Sequence, residues 1–268
     1  MQLFQQYLEK CKEILNTVSN QQQAVQQAAN WFSESILAGR MVHMFGSGHS
    51  RIMVEEMWPR YGSFPGFNPI VELSLTFHNL VVGANGQRQA MFLENVSGLA
   101  ARILRNFQLS SVDSALIVSS SGCNTVPVEM AALFQQAGIR VVALVTQQHA
   151  IQSKSRHPEG KKLMDFADLV LDTGAPIGDA MVTVPGLDTP VAPGSTVGGA
   201  ILINCIKAEV AQLLTLAGKP PLVLSAAVNV GAERAVELFE RAYDEHAHRL
   251  AGLYNAVGYP SCINDQQL

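Results

Sequence analysis

The run A-L-I-V-S-S-S-G-C-N-T-V-P-V-E, from Ala115 to Glu129, decides how the rest of the chain is arranged. Ala115 to Val118 is apolar and rich in β-branched side chains, the composition of a strand buried on both faces of a parallel sheet. Beyond the run, Met130, Leu133, Phe134 and Ala137 fall at helical spacing. Ser119, Ser120, Ser121 and Thr125 lie between strand and helix, with Gly122 and Asn124 among them. A helix start leaves about four backbone N–H groups without intrahelical acceptors and carries the positive end of the helix dipole. Gly122 lets the backbone approach a ligand closely, and Pro127 suits a first turn, where its missing N–H removes no bond. Ser and Asn often do no more than cap a helix, but one cap needs one side chain, and several polar ones converge here. The loop therefore reads as a receptor for a phosphate group. It has no lysine, which separates it from the G-K-[ST] nucleotide cradle.

Upstream, Met41 to Phe45 reads as the first strand and runs directly into Gly46-Ser47-Gly48-His49-Ser50. This G-x-G is half of a dinucleotide fingerprint, but Arg51 stands where a third glycine would let helix and strand pack closely. Ser47, His49 and Ser50 instead form a second polar strand-to-helix turn, opening on the same sheet edge as the first. Downstream, V-A-P-G-S-T-V-G-G at residues 191–199 is a third glycine-and-hydroxyl turn, with Ser195 as a further candidate ligand. It opens a helix from about Thr196 to Ala217 that is apolar nearly all round and so expected to be buried.

The remaining elements follow from periodicity. Phe4, Tyr7, Leu8, Cys11, Ile14, Leu15 and Val18, then Val25, Ala28, Ala29, Phe32 and Ile36, predict two helices over residues 1–38. Their apolar stripes can cover the sheet of this chain or the same surface of a second copy. Further strands are expected at Ile70–Leu75, Val141–Thr146 and Leu169–Leu171, with an edge strand at Met181–Val184, and a loop over Thr76–Gln89. One helix is expected through Leu93, Val96, Leu99, Ala100 and Ile103, with Glu94 at its start as a dipole partner. Ser153–Lys162 reads as a solvated basic loop from which Arg156 or Lys161 reaches an anion, and Ala232–Leu253 as an amphipathic helix ahead of a frayed end at Asn264–Gln267.

The 268 residues are 48% hydrophobic and 15% charged with a formal net charge of −4, which argues against disorder and against a general nucleic-acid binder. The glutamine-rich first helices lack the basic face of a DNA reader. The amphipathic start is not a signal peptide, and no uncharged apolar stretch reaches the ~18 residues that span a bilayer, so a soluble cytoplasmic protein is expected. Cys11, Cys123, Cys205 and Cys262 show neither C-x-x-C spacing nor a disulfide framework; Cys123 stands out because a helix start favours a thiolate. His246 and His248, two apart, face different sides of a helix, and no zinc-like spacing occurs, so no metal or cofactor is expected.

Alternating strands and helices with these turns describe a doubly wound, Rossmann-like parallel α/β sheet with one ligand crevice. At this point the sequence resembles the sugar isomerase (SIS) domain family over about residues 35–220. G-S-G-H-S at Gly46–Ser50 is similar to that family's G-x-G-x-S loop, and S-S-S-G-C-N-T at Ser119–Thr125 to its S-x-S-G-x-[ST] phosphate loop, with Asn124 where Ser or Thr is usual. Within the family, E-E-M-W-P-R-Y-G at Glu55–Gly62, S-R-H-P-E-G-K-K-L at Ser153–Leu163 and D-T-G-A-P-I-G-D-A at Asp172–Ala180 resemble the UPF0309 group. The resemblance implies a five-stranded parallel sheet over residues 39–268 behind an N-terminal helical arm, a homo-oligomer such as a homodimer, and a phosphorylated sugar as ligand. It implies that Ser119, Ser121 and Asn124 hold the phosphate beside Thr125 and the backbone of Ser120 and Gly122, with Ser47 and Ser50 lining the same pocket.

Family members commonly place a carboxylate base ten residues past the serine matched by Ser50, where this chain has Arg60. The resemblance then makes Glu56 the candidate base from a shifted register, His49 the candidate acid–base partner, and Arg60 the candidate to polarise a carbonyl or bind a second anionic group. Two leading function classes stay open, an enzyme that abstracts a proton next to a carbonyl, as in aldose–ketose isomerisation or a related elimination or deamination, and a non-catalytic sugar-phosphate sensor, with a nucleotide-dependent enzyme as a third.

Overall fold

The computed structural model describes residues 2–76, 86–105 and 107–254. Cys262, Asn264–Gln267 and the greater part of the loop expected at Thr76–Gln89 lie outside the described residues. Five strands, β1 (Val42–Gly46), β2 (Phe67–Ile70), β3 (Ser114–Val118), β4 (Arg140–Val145) and β5 (Leu169–Asp172), form one parallel sheet in the order β2-β1-β3-β4-β5. The five-stranded parallel sheet expected from the resemblance is the one observed.

Side chains of a strand alternate between its faces, and both faces of this sheet are covered, so both halves of the alternation are apolar. Val42, Met44, Leu116, Val118, Val142, Leu144 and Leu171 join one buried cluster with residues of α1 (Leu3–Ser19), α2 (Gln22–Leu37), α3 (Arg51–Met57) and α9 (Ser195–Leu216). Phe45, Ala115, Ile117, Val141, Ala143 and Val145 join the other with α6 (Leu99–Leu104) and α7 (Thr125–Gln136). The product is a three-layer sandwich with an apolar core on each side of the sheet.

Of the two placements open to the N-terminal helices, α2 takes the first: Ala28, Ala29 and Phe32 are fully buried against their own chain. α9 lies against α1, α2 and α3. Its approach to the β5 edge is so close that a Cβ on Gly198 would overlap the carbonyl oxygen of Thr173. By length and composition α9 alone among the described helices could cross a bilayer, yet Leu202, Ile203, Ile206, Val210 and Leu214 pack into the core.

Three elements differ from expectation. The second strand is Phe67–Ile70, not Ile70–Leu75, and residues 73–76 form the short α4 (Leu73–Thr76). Pro69 is tolerated within the strand because β2 is an edge strand, where the missing N–H removes no ladder bond. The helix expected through Leu93 to Ile103 is two, α5 (Gln87–Leu93) and α6, separated by Glu94–Gly98. Met181 lies not at the edge of the main sheet but in β6 (Ala180–Val182), antiparallel to β7 (Val191–Pro193) in a separate hairpin. α8 (Gln147–Gln152) follows β4, and α10 (Ala227–Val230) and α11 (Ala232–Tyr254) close the described chain.

Candidate functional site

The strand order fixes where a ligand can sit. From β1 the chain goes to β2 on one side and then returns to β3 on the other, so the loops leaving β1 and β3 diverge and open a crevice at the carboxyl ends of the strands. Gly46 and Val118 are register partners, so the two polar turns start level with each other. Between them lies a cavity of about 600 Å³. Its walls include Ser47, His49 and Ser50 from the first turn, Ser119, Ser120, Ser121 and Asn124 from the second, and Ser195 from the third. No lysine or arginine lines it among the described residues.

The second turn is built so that its hydroxyl hydrogens stay available. The Ser119 Oγ accepts from the Gly122 N–H (3.2 Å) and the Ser121 Oγ accepts from the Cys123 N–H (3.3 Å). A hydroxyl that accepts from the backbone still has its own proton to donate. Ser120 differs, since its Oγ is 3.0 Å from Thr146 Oγ1, itself 2.7 Å from Thr173 Oγ1. This hydroxyl chain, buried at Thr146 and Thr173, braces the loop across the ends of β4 and β5. Gly122 adopts φ +59°, a conformation that a side chain disfavours, although a Cβ would meet only ordinary contacts. Cys123 is buried against the carbonyls of Ala150 and Ser153, and burial pushes its thiol upward despite nearby Lys162 and Arg156, so the reactive thiolate considered above is disfavoured.

The groups around the start of α7 come from the break between α5 and α6. The Glu94 carbonyl accepts from the Val126 N–H (2.8 Å), and Asn95 Oδ1 accepts from the Thr125 N–H (3.4 Å). These bonds satisfy two donors of the helix start and fix Glu94 in the cavity wall. The residue is only 9% exposed, and its carboxylate accepts a 2.6 Å hydrogen bond from the Ser47 Oγ. Burial raises its pKa above the usual carboxylate range, and the hydrogen bonds from Ser47 and Asn124 and the charge of Arg156 offset this only in part. Glu94 was read from sequence as a helix-dipole partner; it is the buried carboxylate of the cavity.

Other sequence candidates are placed differently. Glu56 and Arg60 do not line the cavity: Glu56, on α3, pairs with Arg60 beyond the end of that helix, and also accepts from the Asn204 Nδ2 (2.8 Å) on α9. Burial pushes the Glu56 carboxyl up, but Asn204 and Arg60 more than reverse this and hold it below its ordinary value. A carboxylate so held is a weak proton acceptor. Thr125 is buried with its Oγ1 donating to the Arg156 carbonyl (3.1 Å), and it too is absent from the cavity wall. Ser195 reaches the cavity, but its N–H (2.6 Å) and Oγ (2.9 Å) both donate to Asp179, whose carboxylate also accepts from the Gly194 N–H. The anion position at the start of α9 is thus filled by a protein carboxylate. His49 is exposed at the mouth. Among the described residues, no cluster of three or more His, Cys, Asp or Glu side chains is placed to hold a metal ion.

The fold and cavity define an α/β protein of flavodoxin-like strand order with a hydroxyl-lined crevice at its switch point. Residues 6–146 match the SIS domain family. A UPF0309 protein of Halalkalibacterium halodurans is 34% identical over 84% of this chain and 92% of that protein. Another, from Listeria innocua, is 32% identical over 90% of each chain. The chain belongs to the SIS domain family and, within it, to the UPF0309 group. In fold it is similar to a phosphoheptose isomerase from Francisella tularensis, 12% identical, over 78% of this chain and 96% of that one with a TM-score of 0.52.

Proposed function

We propose that the cavity binds a phosphorylated sugar, phosphate against the Ser119–Asn124 loop, and that the protein isomerises it by moving a proton between adjacent carbons with Glu94 as the base. The observation that carries this reading is one buried carboxylate of raised pKa in the wall that also presents the hydroxyl loop. A base for a C–H next to a carbonyl works best with a pKa brought toward neutrality, which is the direction burial gives Glu94. Ser47 is assigned to holding that carboxylate, Ser119, Ser121 and Asn124 to the phosphate, and His49 to the mouth, where the sugar enters. Family membership and the likeness in fold to a phosphoheptose isomerase support a sugar phosphate as the ligand class.

The proposal includes a soluble, self-associating cytoplasmic protein with no nucleic-acid or membrane partner. Phe4, Leu8 and Leu15 lie exposed along α1, an apolar stripe that a second copy would cover. Light scattering on the purified chain tests this.

The decisive test is a thermal-shift screen against phosphorylated pentoses, hexoses, heptoses and amino sugars, since a ligand that binds only the folded state raises its stability. Exchange of the sugar's carbon-bound proton in D₂O is then followed by NMR for wild type and Glu94→Gln. Retained binding with exchange lost in the variant is the expected result. Binding without exchange in either protein would turn the reading to a sugar-phosphate sensor.

A further inference from the structure

The cavity has a second chemically specific wall, which the sequence motifs did not reveal. His149 lies in the first turn of α8, directly after β4, and lines the cavity. Its Nδ1 receives the backbone N–H of Gly178 at 3.1 Å. A backbone amide can only donate, so Nδ1 presents its lone pair, and the neutral ring carries its proton on Nε2. No described group accepts from Nε2.

The backbone that sets this tautomer is itself held. Gly178 (φ +79°) and Asp179 (φ +69°) both adopt left-handed conformations, and the Asp179 carboxylate is bonded to the Gly194 N–H and to the Ser195 N–H and Oγ at the start of α9. A non-glycine residue with positive φ persists where its surroundings over-determine it. The N-terminus of α9 thus fixes Asp179, the neighbouring Gly178 N–H fixes the ring, and the ring, part of the cavity wall, keeps its Nε2–H as the nitrogen that can donate to a ligand. Of the two carboxylates that line the cavity among the described residues, Asp179 is occupied by these donors, whereas Glu94 has a hydroxyl and an amide as its near partners.

Resting on the sugar-phosphate reading above, we infer that His149 is the catalytic hydrogen-bond donor to the sugar oxygen that becomes negative during proton transfer. The Glu94 carboxylate takes the proton from the carbon next to the carbonyl. The C–H electron pair becomes the C=C bond of an enediolate, and the carbonyl π pair moves onto oxygen, where the His149 Nε2–H meets it. Return of the proton from Glu94 to the neighbouring carbon, with a proton shift between the two oxygens, completes the isomerisation without a redox partner. A neutral imidazole suits this role because it stabilises the oxyanion without protonating the carbonyl beforehand.

Two substitutions separate donation to the ligand from support of the loop. In His149→Asn the side-chain carbonyl can replace Nδ1, keeping an acceptor for Gly178 and losing the far donor. In His149→Gln the amide N–H₂ can replace Nε2, keeping the donor. Binding of inorganic phosphate and of four-, five- and six-carbon phosphorylated hydroxamates, whose planar oxyanion imitates the enediolate, is measured by calorimetry for both variants and wild type. His149→Asn is expected to lose on the order of a hundredfold in hydroxamate affinity, the scale of one oxyanion donor. His149→Gln is expected to stay within about fivefold of wild type, and phosphate affinity within about twofold in both, because the phosphate loop is a separate site. Retained affinity in the Asn variant with loss in the Gln variant overturns the donor role in favour of loop support. A wild type that binds a sugar phosphate but no hydroxamate overturns the donor assignment alone. A wild type that binds neither removes the sugar-phosphate reading beneath it.

Discussion

The two ends of the sheet each bury a carboxylate, and the two are held in opposite ways. At the amino ends of the strands, Asp113 accepts two 2.8 Å bonds from Arg40, one from the Ser110 N–H, and faces the His43 Nε2 at 3.2 Å. At the carboxyl ends, Glu94 meets the Ser47 hydroxyl and the Asn124 amide. Burial raises both carboxyls. For Asp113, the hydrogen bonds from His43 and Arg40 reverse the effect and hold it below its ordinary range; for Glu94, neutral donors leave it above. A buried acid paired with a fixed cation is a structural tie, whereas one given only neutral donors keeps a usable proton equilibrium.

The largest effect is expected at the structural end. Asp113→Ala leaves Arg40 and the fully buried His43 without their shared anion, and breaking such a cluster from one side destabilises by about 3–5 kcal/mol. Urea unfolding at pH 7 measures this. Equal tolerance of Asp113→Ala and Glu94→Gln would remove the distinction between the two ends.

Next in size is the backbone of the functional end. Gly122→Ala forces a side chain into φ +59°, at a cost of about 1–2 kcal/mol. Because a Cβ there meets no close neighbour, the loss should fall mainly on the loop, with inorganic phosphate binding reduced more than the midpoint of unfolding.

The pH dependence sets the two acids in opposition. Asp113 has a lowered folded pKa, so its contribution is present above the unfolded carboxylate value, near 4, and is lost as pH falls through the folded one. Glu94 has a raised folded pKa, so the native state holds its proton longer; the destabilisation sets in as pH rises past the unfolded value and is complete above the folded one. Glu94→Gln should therefore raise the melting temperature at pH 7 to 8 and leave it little changed at pH 4. It should also lower proton exchange by about a hundredfold or more. A melting temperature lowered at pH 7 would assign Glu94 to the structural class.

These contrasts also explain what could be read in advance. The strands were legible because a doubly covered parallel sheet leaves runs such as Ala115–Val118 and Val141–Val145 with no polar residue. The hydroxyl turns were legible because they follow those strands directly. Glu94 was missed because Leu93, Val96, Leu99, Ala100 and Ile103 keep helical spacing across a real break. The signal for that break was the N-x-x-G of Asn95–Gly98, where Gly98 takes φ +85° and its N–H is bonded to the Glu129 carboxylate. Ser195 looked like an anion ligand because its competitor, Asp179, lies across the β6–β7 hairpin and no local pattern connects them. Glu56 and Arg60 were both read as site residues; that Glu56, near the end of α3, pairs with Arg60 beyond the helix and with Asn204 of α9 rather than lining the crevice is tertiary information.

The smallest expected effect tests whether the functional end is truly a site of neutral donors. Arg156 lies on the exposed loop whose backbone is fastened to the Ser119–Asn124 turn, its N–H donating to the Cys123 carbonyl at 2.9 Å and its carbonyl accepting from Thr125 Oγ1. Its side chain does not line the cavity, yet its charge acts on Glu94. An exposed cation acting through solvent contributes under about 1 kcal/mol, so Arg156→Ala should weaken inorganic phosphate binding by about fivefold at most. The difference from wild type should shrink further as salt shortens the screening length below about 8 Å. A loss well beyond that, insensitive to salt, would mean that the guanidinium closes onto the bound phosphate. The carboxyl end would then have a fixed cation of its own, and the contrast with Asp113 would lie in when the ion pair forms rather than in whether one exists.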